Sequence, residues 1–155
     1  MEKKIILLAD DDSDDRDMFC EALSDIDHSI SCQCSINGAE ALKALKDFET
    51  LPKLVFLDLN MPVMNGWECL ELLQQDSAYS DIPVIMISTS SHQKDINKAF
   101  KQGAQGYLVK PNNFNDLTRI LREITANMDG ELNTALRTLA TSWSGNIFAT
   151  ETKAE

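Results

Sequence analysis

Four short runs of apolar residues, each closed at its carboxyl end by a polar or charged residue, govern what this chain can become. Residues 5–9 end in Asp10-Asp11, residues 54–57 in Asp58, residues 84–87 in Ser88, and residues 107–109 in Lys110-Pro111. A strand that is apolar at every position has no solvent face, so it belongs in a parallel sheet covered on both sides. The stretches between these runs read as helices. Ser13 to about Leu23 carries Asp14, Asp15 and Asp17 near its N-terminus, where the helix dipole favours them. Ala41, Leu42, Ala44, Leu45 and Phe48 recur at helical spacing before Pro52 breaks the pattern. Further helices are expected over 67–75, over 92–102 ending at Gly103, and from an Asn113 cap to about 127. A fifth strand over 30–36 alternates Ile30, Cys32, Cys34 and Ile36 with Ser31, Gln33 and Ser35, as one buried face requires. Five strands therefore alternate with five helices, an α/β doubly wound parallel sheet with helices on both faces.

In an open sheet of this kind ligands sit beyond the carboxyl ends of the strands. Asp10, Asp11, Asp58, Ser88 and Lys110 all fall there. Carboxylates gathered at one place repel each other unless a cation lies among them. An all-oxygen acidic set suits a hard dication, Mg²⁺ or Mn²⁺, better than zinc. Lys110 adds a compact positive charge and Ser88 a hydroxyl, which together suit a transferred phosphoryl group. A carboxylate can itself attack phosphorus and form an acyl phosphate.

Composition narrows the remaining classes. The formal net charge of −11 opposes nucleic-acid binding, which depends on basic side chains, and opposes anionic membranes. The N-terminal apolar run, only residues 5–9, is too short for a signal peptide core, and no stretch approaches the roughly 20 apolar residues of a membrane span. A cytoplasmic location is the expectation. Of the four cysteines, Cys32-Gln33-Cys34 lacks the spacing of a zinc knuckle, so Cys20, Cys32, Cys34 and Cys69 read as reduced core thiols.

Across roughly residues 3–127 the sequence resembles the response-regulator receiver domain of two-component signalling. The motifs that carry the likeness are Ile5-Ile6-Leu7-Leu8-Ala9-Asp10-Asp11, Leu54-Val55-Phe56-Leu57-Asp58-Leu59-Asn60-Met61-Pro62 with Asn65-Gly66, Val84-Ile85-Met86-Ile87-Ser88, and Gly106-Tyr107-Leu108-Val109-Lys110-Pro111. The resemblance implies a flavodoxin-like five-stranded sheet in the order 2-1-3-4-5. It implies Asp58 as phosphoacceptor, with the metal held by Asp11 directly, by Asp10 mainly through water, by Asp58, and by the backbone carbonyl of Asn60. Ser88 would bind the phosphoryl group, Lys110 would pair with its oxygens, Tyr107 would be the aromatic switch, and the bond before Pro111 would be cis. Partners would be a sensor histidine kinase or phosphotransfer protein upstream and a protein target downstream. The wording around Asp58 and Ser88 is similar to stand-alone receivers that partner phytochrome-type kinases.

Within the acidic run the working pair is either Asp10 and Asp11 or Asp11 and Asp12. Asp12, Asp14, Asp15 and Asp17 otherwise read as a solvated helix start. Asp10, Asp12, Asp14 and Glu21 also match a calcium-loop pattern, but Asp15 stands at its glycine position and a strand precedes it. The enzymatic rival is a Mg²⁺-dependent phosphohydrolase of the haloacid-dehalogenase type acting through Asp10, with Asp12, Ser88 and Lys110 in support; it leaves Asp58 without a use. A pseudo-receiver with a dead pocket is the third reading, opposed by the complete polar set. Residues 128–155 read as an extension: an amphipathic helix at about 131–143, then a loose tail from Gly145. The apolar stripe from Leu132 to Trp143 must be buried against its own domain or a second copy, and a homodimer is the expectation.

Overall fold

A computed structural model describes residues 3–150. The chain runs β1 (Lys4–Ala9), α1 (Ser13–Ile26), β2 (Ile30–Ser35), α2 (Gly38–Asp47), β3 (Leu54–Asp58), α3 (Gly66–Gln75), β4 (Val84–Ser88), α4 (Gln93–Lys101), β5 (Gly106–Val109), α5 (Phe114–Ala126), α6 (Leu132–Ser142) and β6 (Ile147–Ala149). The strands form one sheet in the order β2-β1-β3-β4-β5-β6. All neighbours are parallel except β5 and β6.

Alternation along the central strands divides the core in two. Ile6, Leu8, Phe56, Ile85 and Leu108 turn to one face and pack with Phe19 of α1, Leu121 of α5 and Leu136 of α6. Leu7, Val55, Leu57, Met86 and Tyr107 turn to the other, against Leu45 of α2, Leu70 of α3 and Ile96 of α4. Every residue of β3 and of β4 is buried, as the apolar runs require.

Three expectations are corrected here. The sheet has six strands, because the chain after Gly145 returns: Ile147 is 1% exposed and β6 pairs with β5. An unpaired β5 would leave a row of backbone donors and acceptors at a sheet edge, and β6 satisfies them. The stripe on α6 is buried in the chain's own core through Leu132, Leu136 and Leu139, so it gives no ground for a second copy. Gly106 permits that approach, since a Cβ there would stand 3.2 Å from Leu136 Cδ1. The third concerns the thiols. Cys20 and Cys32 are joined as a disulfide, their Cα atoms 5.6 Å apart and so within bridging reach. Cys34 and Ile36 are exposed, in line with the place of β2 at the edge of the sheet. Only Cys69 is the buried free thiol expected, with burial pushing its pKa up to about 12.

Candidate functional site

Parallel pairing brings the carboxyl ends of β1, β3, β4 and β5 to one edge of the sheet, and the polar residues arrive there because each ends its strand. Asp10 follows β1 and is 1% exposed, and its N–H donates to Ser35 O at 3.0 Å. Asp58 closes β3 and is 6% exposed. The carboxylate oxygens of Asp10, Asp11 and Asp58 lie within 4.8 Å of one another, with Asp11 at the exposed rim. Asp12 is drawn elsewhere: its side chain caps α1, accepting from Asp15 N–H at 3.0 Å. Of the two pairs left open by the sequence, Asp10 and Asp11 are the ones that meet Asp58.

Lys110 reaches back from the end of β5 into this group. Its Nζ donates to Asp58 Oδ2 at 3.1 Å and to Asp15 Oδ2 at 2.7 Å, and stands 2.9 Å from Asp10 Oδ2. That last pair is an ion contact without hydrogen-bond geometry, and Asp10 Oδ2 is left as a buried oxygen with no hydrogen bond. Asp58 Oδ1 accepts from Asn60 N–H at 3.1 Å. Burial, then the charge of Asp10, pushes Asp58 up to about 6, with Lys110 and the Asn60 N–H pulling the other way. Burial opposes the charge on Lys110, but the hydrogen bond to Asp15 and the close carboxylates of Asp10 and Asp58 outweigh it and raise its pKa. One ammonium thus serves three carboxylates. An orphaned buried oxygen and a carboxylate driven toward its neutral form are what an acidic set shows when it is built around more positive charge than one lysine supplies. The residues fit a hard dication.

Ser88 is wholly buried at the end of β4, and its Oγ accepts from Ser90 N–H at 3.0 Å. Tyr107 is also wholly buried, and its hydroxyl donates to Ser90 O at 2.9 Å. The Ser90 hydroxyl donates to Asp95 Oδ2 at 2.8 Å in the first turn of α4. Ser90 therefore links Ser88, Tyr107 and α4. Sequence reasoning missed Ser90, and assigned Asp15 to solvent although it holds Lys110. The signal for Asp15 lay in its place on the first turn of α1; for Ser90 there was none, because its contacts are set by how the loop folds.

Gly66 shapes the floor: a Cβ there would fall 2.2 Å from the Asp58 carbonyl oxygen, so only glycine lets α3 start this close to β3. The cis bond implied before Pro111 is not found; among the described residues every peptide bond is trans. Trans is the lower-energy form before proline by about 0.5–1 kcal/mol. The two residues leading into the bond are also held from outside, Val109 by Asn146 and Lys110 by a 2.7 Å bond from its N–H to Ser88 O.

The response regulator receiver domain family matches residues 6–122 of this chain, and the chain belongs to that family. A CheY homolog of Campylobacter jejuni, a chemotaxis protein, is 30% identical over 126 residues, covering 81% of this chain and 95% of that protein. Against the nitrate/nitrite response regulator NarL of Escherichia coli the identity is 38% over 90 residues, but the chain spans only 40% of that protein's length. Among solved structures, the phosphorylated cyanobacterial phytochrome response regulator RcpA superposes with a TM-score of 0.75 at 28% identity, covering 83% of this chain and 95% of its own. The Mn²⁺-bound response regulator Rcp1 gives 0.68 at 29% identity, over 79% and 92%. These relatives are signalling proteins rather than enzymes, which sets the haloacid-dehalogenase reading aside. No described helix is long and apolar enough to cross a membrane.

Proposed function

We propose that this chain acts as a response regulator in which Asp58 accepts a phosphoryl group from a histidine kinase or phosphotransfer protein. The observation that carries the reading is the meeting of Asp10, Asp11 and Asp58 oxygens with Lys110 Nζ bonded directly to Asp58. In the transfer an Asp58 oxygen attacks phosphorus, the phosphorus–nitrogen bond of the donor histidine breaks, and the imidazole nitrogen keeps the electron pair. Asp10, Asp11, Asp58 and the carbonyl of Asn60 would hold Mg²⁺ or Mn²⁺; Rcp1, a relative, binds Mn²⁺. The bound ion would neutralise carboxylate and phosphoryl charge. Lys110 orients the phosphoryl oxygens, and the Ser88 hydroxyl, released from Ser90, donates to them.

That exchange supplies the switch. When Ser88 leaves Ser90 N–H, the loop that holds the Tyr107 hydroxyl and the start of α4 loses one of the bonds that anchor it. The changed face of α4 and β5 alters contact with a protein target. The kinship with RcpA, a phytochrome response regulator, supports a sensor kinase of that kind upstream. Incubation with acetyl phosphate and Mg²⁺ tests the reading: intact-mass spectrometry should show one phosphoryl group, absent in Asp58→Asn and absent with a chelator. Labelling that survives Asp58→Asn would overturn it, and no labelling of the wild type would mark a dead pocket.

A further inference from the structure

Away from the acidic pocket, three sulfur atoms meet where α1 crosses β2. Cys32 and Cys34 lie two residues apart on β2, and Cys20 reaches them from α1. Cys34 Sγ stands 3.2 Å from Cys20 Sγ and 3.9 Å from Cys32 Sγ. The ligand atoms of all three lie within 4.8 Å of one another. A zinc-knuckle spacing is absent because only Gln33 separates Cys32 from Cys34, and the third sulfur comes from a different element.

Sulfurs bound at ~2.3 Å to one cation stand roughly 3.8–4.0 Å apart for tetrahedral to trigonal angles. The Cys32–Cys34 spacing of 3.9 Å already meets this. The other two edges both involve Cys20, which the bond to Cys32 holds close, and its reduction frees Cys20 to withdraw by side-chain rotation. We infer that, once this bond is reduced, Cys20, Cys32 and Cys34 form a three-thiolate site for one soft, thiophilic cation, Cu(I) foremost. A donor set of thiolates alone selects a soft cation, and three donors match Cu(I) where zinc would need a fourth. Cys34 is exposed and Cys20 and Cys32 are half-buried, so the cation has an entry path. Arg16, Asp10 and Asp17 act on Cys34, the guanidinium against a cation there and the two carboxylates in its favour. The disulfide and the cation compete for the same atoms. A phosphine and water convert the disulfide to two thiols and a phosphine oxide; the cation then displaces thiol protons.

The test is native mass spectrometry of the full chain, reduced with a phosphine without oxygen and given Cu(I) against a chelator of known affinity. One Cu(I) should bind per reduced chain and none to the disulfide form. Cys34→Ser should weaken binding by about 100-fold or more, since loss of even an indirect partner of a metal ligand costs 10–100-fold. Asp58→Asn should leave binding unchanged, separating the sulfur site from the oxygen one. Acetyl phosphate labelling of Asp58 in Cys34→Ser reports that this variant is folded, and Cys32→Ser gives a second removal of a ligand. Absence of Cu(I) from the reduced wild type, full affinity in either serine variant, or loss in Asp58→Asn would overturn the inference. A preference for Zn²⁺ over Cu(I) would overturn the choice of cation.

Discussion

Lys110 holds the Asp10, Asp15 and Asp58 carboxylates together, and its own side chain is only 15% exposed. Removing one partner of a buried ionic group leaves uncompensated charge, a cost of about 3–5 kcal/mol. Lys110→Ala should therefore lower metal-free stability by about that much in urea unfolding, and millimolar Mg²⁺ should restore part of it by replacing the missing charge. A loss that Mg²⁺ leaves untouched would point to packing instead. At Asp58 the sign is reversed. Its carboxyl is raised to about 6, so between the ordinary value of 3.8 and that pH the folded chain holds a proton that the unfolded chain releases. Its contribution to stability is largest below the unfolded pKa near 4 and falls as pH rises toward 6. Asp58→Asn should accordingly stabilise the metal-free protein at pH 7 by on the order of 3 kcal/mol. The variant should also lose the corresponding part of the slope between pH 4 and 6 in a thermal titration. Equal slopes in the two proteins would show that Asp58 titrates as an ordinary surface carboxylate.

At the scale of elements, the strand ends were legible because physics leaves a parallel sheet little freedom. An all-apolar run must be covered twice, and the residue that ends it must face the ligand edge, so Asp10, Asp58, Ser88 and Lys110 could be placed from sequence. The partners of those residues were not legible. Asp15 and Asp12 are both acids in the same helix start, and only the backbone decides that one caps while the other bonds Lys110. The return of the chain was hidden for another reason: Ile147, Phe148 and Ala149 make a strand too short for periodicity to mark. This strand nonetheless matters, since Phe148 packs edge-on to Tyr107 at 6.3 Å between ring centroids and Ile147 is in the core. Leu136→Ala, at a site wholly buried under Gly106, should cost about 2–5 kcal/mol. Ending the chain at Ser144 should raise hydrogen exchange at Val109, whose N–H is held by Asn146 O. Unchanged exchange there would mean that β6 rests on β5 without supporting it.

For the molecule as a whole, the acidic pocket makes folding, proton binding and metal binding compete for the same carboxylates. A hard dication requires Asp58 ionised, and Asp58 is ionised in the metal-free chain only above about 6. Affinity for Mg²⁺ should then fall steadily as pH drops below 6 and level off above it. Because Mg²⁺ binds the assembled pocket and not the unfolded chain, it should stabilise by RT ln(1 + [Mg²⁺]/Kd). At a concentration 100-fold above Kd that is about 2.7 kcal/mol. Two pH trends follow from one carboxyl group: without metal, the contribution of Asp58 declines from pH 4 to 6, and with saturating Mg²⁺ that decline is abolished, because the bound carboxylate stays ionised and the unfolded one is already ionised above about 4. Calorimetric melts at several pH values, each with chelator and with Mg²⁺, separate the two. Curves that converge at low pH, separate between about 4 and 6 and run parallel above 6 are expected, and in Asp58→Asn the separation should shrink with the loss of a ligand. Parallel curves across the whole range would mean that Mg²⁺ acts away from Asp58, and the proposed acceptor would then lack the metal its chemistry needs.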